Sequence, residues 1–107
     1  MNYEVIISSR AELDLRDIYE YIALEIGAPE NATGQIDRLE TGILSLQRFP
    51  DRYRMYAQEP WQSRGLRVLS VDNFVIFYIS NKNKKTVTVI RVVYGGRDIK
   101  SLLDEML

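Results

Sequence analysis

The chain has 107 residues, 46% of them hydrophobic, and its 14 basic and 15 acidic side chains give a formal charge of −1. That length and composition suit one soluble globular domain, and the near-neutral balance disfavours a protein whose whole task is to grip a phosphate backbone, although a local patch is compatible with it. Neither cysteine nor histidine occurs, which excludes disulfides, thiolate zinc sites, and the commonest general base and metal ligand.

Taken in order, Tyr3–Ile7 (YEVII) predicts a short strand. Ser9 with Glu12 fits a capping box, in which the serine oxygen accepts from a free amide and the glutamate reaches back. A helix is expected from Arg10 to Ile26, with Ala11, Leu15, Ile18, Ile22 and Ile26 as its apolar stripe. Gly27 is a natural stop and Pro29 a natural restart. The second helix, Pro29 to Arg48, carries Ala32, Ile36, Leu39, Ile43 and Leu46 at spacings of four and three. So short a link forces the two helices into an antiparallel pair. Gly34 and Gly42 inside the second helix suggest close approach of its neighbour. Phe49-Pro50-Asp51 ends it, since the residue before proline avoids helical angles. Arg52–Gln62 shows no period and reads as an irregular crossover carrying Tyr53, Tyr56 and Trp61.

Leu66–Val71, Phe74–Ser80 and Thr86–Tyr94 follow as three strands rich in β-branched and aromatic residues. If Asp72-Asn73 is a two-residue turn, Val71 pairs with Phe74, Leu69 with Ile76 and Arg67 with Tyr78. Arg67, Leu69, Val71, Phe74, Ile76 and Tyr78 then share one face. Leu66, Val68, Ser70, Val75, Phe77 and Ile79 share the other. Neither face is polar, so both need a cover. The helical hairpin supplies one. The second must come from the rest of the fold or from a partner, and a partner is the expectation, together with poor solubility of the free chain. Gly95-Gly96 permits a sharp turn, and Asp98 caps a last helix, Ile99 to Met106.

The order β-α-α-β-β-β-α defines an α+β fold in which a helical hairpin packs on a mainly antiparallel four-stranded sheet, as a single domain over residues 1–107. No apolar run is long enough to span a membrane, and the N-terminus lacks a charged-then-apolar signal, so a cytoplasmic location is expected.

The stretches YEVIIS-SRAELDLRDIYEYI, LQRFPDRYR and LRVLSVDNFVIFYI, closing with VIRVVYGGRD, resemble the RelE/ParE toxin family of type II toxin–antitoxin systems over nearly the whole chain. The resemblance is closer to the ParE branch. It implies a toxin neutralised by a cognate antitoxin in a hetero-oligomer, with roles in plasmid stabilization and growth arrest. A ParE-like toxin inhibits DNA gyrase by binding. A RelE-like toxin is a ribosome-dependent mRNA endoribonuclease. Arg97 sits where RelE-like proteins place a catalytic arginine. The nuclease branch's lysines fall near Leu66 and Val68, its further arginine near Val75, and its last-helix tyrosine near Leu103. An arginine cannot readily act as a base, so the reading leans away from an enzyme. The alternatives are that endoribonuclease and a module that binds antitoxin without toxicity.

Arg64, Arg67, Arg91 and Arg97 are candidate target contacts, able to form one basic patch, although a structural pair with a helix carboxylate is the simpler account of Arg91. Leu69, Phe74, Ile76, Tyr78 and Trp61 are the candidate antitoxin contacts, with Trp61 the best single anchor. Lys82, Lys84 and Lys85 read as a solvated hairpin tip. No cofactor or metal is implied.

Overall fold

A computed structural model describes residues 2–107. The strands are β1 (Glu4–Ile7), β2 (Leu66–Val71), β3 (Phe74–Asn81) and β4 (Thr86–Tyr94), and the helices are α1 (Ser9–Glu20), α2 (Pro29–Leu44) and α3 (Ile99–Asp104). The sheet order is β1-β4-β3-β2. β1 lies parallel to β4, while β2, β3 and β4 form an antiparallel meander.

The Asp72-Asn73 turn sets the register expected of it. Val71 pairs with Phe74, Leu69 with Ile76 and Arg67 with Tyr78. Asp72 takes the positive φ of 54° that the tight connection requires. Gln35 and Arg38 of α2 both donate to its carboxylate, at 2.9 and 2.7 Å, which ties the turn to the helix and lowers the Asp72 pKa.

Alternation sends the two faces into two cores. Leu69, Ile76 and Tyr78 pack with Val87, Val89 and Val92 beneath Ala11, Leu39, Ile43 and Leu46 of the helical hairpin. On the other side Leu66, Val68, Phe77 and Val93 pack against Trp61 and Leu103. Tyr56, Ile99, Leu102 and Met106 close that cluster, with Tyr56 meeting the Phe77 ring edge-on at 5.8 Å. The expectation that this second face waits for a partner is therefore corrected. The crossover and α3 seal it, leaving Leu66 at 0% and Phe77 at 1% exposure, and the inference of poor solubility from an open sheet face loses its basis.

Four local differences have physical causes. The cap of α1 is Ser8 rather than Ser9: its Oγ accepts from the Ala11 amide at 3.1 Å and donates to the Ile90 carbonyl at 3.1 Å. The first helix does not stay α-helical to Ile26. It widens into a π-turn at Tyr21–Glu25, and this extra residue per turn buries Ala23 and leaves Ile26 60% exposed. Gly42 is approached by the sheet rather than by a helix, since a Cβ there would lie 2.9 Å from Val71 Cγ2, whereas at Gly34 it would meet only the Arg38 guanidinium of α2 itself.

Last, Phe49 turns left-handed (φ 47°, ψ 57°). Pro50 behind it is buried, and the Pro50 carbonyl accepts from the Tyr78 hydroxyl. Anchoring Pro50 inward throws the Phe49 ring outward, at 75% exposure. A bulky residue in this conformation costs roughly 1–3 kcal/mol.

Candidate functional site: a cleft along the free edge of β4

β1 pairs with only the first half of β4, Thr86 to Val89. The chain then leaves at Ser8 to begin α1, so the far half of β4, from Ile90 to Tyr94, keeps an unpaired edge on that side. A bulge falls here. Tyr78 pairs with Val89 and Phe77 with Arg91, leaving Ile90 as the extra residue.

The α1 side chains occupy part of this edge. Ser8 takes the Ile90 carbonyl. Asp14 Oδ2 accepts the Val92 amide at 2.9 Å. Arg91 reaches back to the same carboxylate, its Nε donating to Oδ2 at 2.8 Å and an Nη to Oδ1 at 3.0 Å. Both residues are buried, Asp14 at 5% and Arg91 at 4% exposure. Beyond this lock the ladder alternation turns the Val92 carbonyl and the Tyr94 amide outward on the same edge.

A cleft of about 950 Å³ opens there. Phe74, Val92, Val93 and Tyr94 form its sheet side; Asp17, Ile18, Glu20, Tyr21, Leu24 and Glu25 form its helical wall; Arg10 and Arg97 stand at its rim. The π-turn matters here, because it presents Tyr21 at 57% and Leu24 at 76% exposure beside Tyr94 at 51%. Phe74 packs edge-on against the Tyr94 ring at 6.0 Å. The cleft thus combines an open strand edge, exposed apolar side chains, and a wall bearing Asp17, Glu20 and Glu25.

The residues singled out from sequence are distributed as follows. Leu69, Ile76 and Tyr78 lie under the helical hairpin at 7%, 0% and 0% exposure, and Trp61 lies in the second core at 5%; none of these four presents a surface. Only Phe74 of that set reaches the cleft. Of the arginines, Arg97 is exposed at the cleft rim, while Arg91 is consumed by Asp14. Arg67 is half-buried, donating to the Asp51 and Tyr53 carbonyls at 3.1 and 2.7 Å. Arg64 stacks over the Trp61 ring at 5.2 Å. Four different environments replace the single patch.

Sequence reasoning missed Tyr21, Leu24 and Asp17 as site residues. The available signal was Tyr21 and Leu24 standing outside the Ala11–Ile26 stripe, apolar side chains with no assigned cover. Among the described residues, no group of three or more Asp or Glu side chains is placed to hold a metal ion, and no helix is long and apolar enough to cross a membrane.

The fold defines the class. It is similar to a chromosomal ParDE toxin–antitoxin system from P. aeruginosa, at 21% identity, covering 86% of this chain and 95% of that one with a TM-score of 0.69. It is also similar to the RelBE2 toxin–antitoxin complex from Mycobacterium tuberculosis, at 19% identity, 88% and 99% coverage and a TM-score of 0.61. An E. coli RelE toxin mutant in the free state matches over 100% of both chains at 14% identity, with a TM-score of 0.67. This is the RelE/ParE-like α+β fold. Among curated proteins, none matches the sequence. The family model for the ParE toxin of the type II toxin–antitoxin system, parDE, matches residues 5–99. The chain belongs to that family.

Proposed function

We propose that this toxin-family chain acts by binding DNA gyrase, and that a cognate antitoxin neutralises it in a cytoplasmic hetero-oligomer. The observation that carries the first part is where the nuclease-branch positions fall. Leu66 and Val68 stand near the places of its lysines and are 0% and 5% exposed; Leu103 stands near the place of its tyrosine and is 1% exposed. All three are structural members of the second core. A phosphoryl-transfer site needs charged or ionisable groups facing substrate, and here those positions face Trp61 and Phe77. Arg97 alone is exposed, and a lone guanidinium stabilises charge without accepting a proton.

The antitoxin reading rests on the β4 cleft. An extended segment could pair with the outward Val92 carbonyl and Tyr94 amide, set apolar side chains on Tyr21, Leu24 and Tyr94, and turn basic ones toward Asp17, Glu20 and Glu25. A free segment that folds on binding would suit such an edge.

The test is a plasmid supercoiling assay with purified gyrase, run beside an in vitro translation reaction whose messages are mapped by primer extension. Loss of supercoiling with messages intact supports the proposal. Cut messages with supercoiling undisturbed would replace it with the endoribonuclease reading.

A further inference from the structure

A basic surface lies away from the cleft, where the turn after α2 meets the β3–β4 hairpin. The two segments are tied together by several contacts. Tyr3 donates its amide to the Gln47 carbonyl, and Lys85 sits over the Tyr3 ring at 5.4 Å. Lys82 lies 3.7 Å from Asp51, and Ser80 donates to the same carboxylate at 2.7 Å. Arg48, Arg52, Lys82, Lys84 and Lys85 are all exposed around this junction. Two carboxylates stand among them: Asp51 is shared between Arg67 and Lys82, and Glu4 stands beside Lys85. A chain of net charge −1 thus gathers a strong local excess of positive charge, whose field is read locally.

Next to Arg48 and Arg52 on this surface stands Phe49, 75% exposed in a left-handed backbone. Glycine or asparagine would make the same turn without steric cost. An exposed apolar ring gains nothing from the core. Arg52 holds the conformation, its guanidinium donating to the carbonyls of Arg48 and Phe49 and to the Tyr53 hydroxyl. The ring is therefore presented by a stapled turn that also carries Arg48 and Arg52.

We propose that this surface binds single-stranded nucleic acid, with a base stacked on Phe49 and the flanking phosphates on Arg48, Lys82 and Lys84. A flat ring within a basic surface is the recognition chemistry of unpaired strands, because every base has a face to stack. A duplex would take the β3–β4 ribbon and its lysines, and an acidic peptide would take the cations; either would leave the ring without a role. The inference is separable from gyrase inhibition: supercoiling blocked by a chain that binds no single strand overturns this inference alone.

Fluorescence anisotropy tests it on the full chain, with labelled oligo(dT), labelled oligo(U), a labelled duplex, polyglutamate and anionic phosphatidylglycerol vesicles. The single strands bind in preference to the other three, and the oligo(dT) and oligo(U) arms identify whether DNA or RNA is the source. Phe49→Ala weakens strand binding about tenfold and leaves the slope of log affinity against log salt unchanged. Lys82→Gln combined with Lys84→Gln lowers that slope by about 1.4. Phe49→Gly, which relieves the backbone, provides the folded control should the alanine variant unfold, and shows the same loss. Wild-type affinity in both Phe49 variants overturns the proposal. So does polyglutamate or vesicle binding as tight as that of the strands, which reassigns the surface to an acidic protein or a membrane.

Discussion

Arg91 and Asp14 lock the helical layer to the sheet from inside the fold. The guanidinium meets the carboxylate through two bonds of 2.8 and 3.0 Å, and the same carboxylate accepts the Val92 amide at 2.9 Å. The bulge at Ile90 makes the geometry possible by turning that amide out of the β3 ladder. Removing one partner strands a buried charge. Arg91→Met or Asp14→Leu alone should cost about 3–5 kcal/mol, whereas the double variant recovers much of the loss. Urea unfolding of the three variants reads this; additive losses in the double variant would show that the two residues act separately.

Burial pushes the Tyr78 phenol up to about 12, against the opposing pull of Arg67 and Arg52. The hydroxyl donates to the Pro50 carbonyl, so the folded state holds the proton. The contribution is fully present below the ordinary tyrosine value near 10, and is lost as pH rises toward the folded value. Thermal stability should therefore fall between about pH 10 and 12. Tyr78→Phe should flatten that decline while lowering stability at neutral pH by about 1–3 kcal/mol, because the Pro50 carbonyl loses its donor. An unchanged alkaline limb in the variant would assign the decline to other groups.

The two glycines of α2 should respond in opposite directions to alanine. At Gly34 the added methyl meets only a mobile guanidinium end at 3.3 Å, so Gly34→Ala should stabilise by up to about 1 kcal/mol through helix propensity. At Gly42 it meets Val71 Cγ2 at 2.9 Å, with Ile76 and Leu69 close behind. Val71 is β-branched and cannot swing aside, so Gly42→Ala should destabilise by about 1–3 kcal/mol. Paired melting curves decide; equal shifts would deny the close approach of α2 to the sheet.

In the cleft, Leu24→Asp places a charge where an apolar contact is proposed, beside Asp17, Glu20 and Glu25. Antitoxin affinity should drop at least tenfold, equivalent to about 1.4 kcal/mol, with the melting temperature barely moved because Leu24 is 76% exposed. Titration calorimetry with the cognate antitoxin measures it. Undiminished affinity would remove the π-turn from the interface.

Much of the fold was legible because local chemistry dictated it. The Asp72-Asn73 turn fixed the β2–β3 pairing, and the β-branched run fixed the limits of β4 at Thr86 and Tyr94. The destination of the second apolar face was not legible, because Trp61 and Tyr56 sit in a crossover without periodicity and their packing onto Phe77 is decided in three dimensions. The cleft was hidden for a similar reason. A π-turn has no sequence signature at this resolution of pattern, so Leu24 could not be assigned a face. Arg91 was readable as a residue needing a carboxylate, but its partner Asp14 is 77 positions away.

With the meander already dry on both sides, a partner must sit elsewhere, on the β4 edge. Amide hydrogen exchange of the chain, free and bound to its cognate antitoxin, measures this directly. Protection confined to Val92–Arg97 and Asp17–Glu25 is the predicted result. Protection over Trp61, β2 and α3, with the β4 edge unchanged, would contradict it.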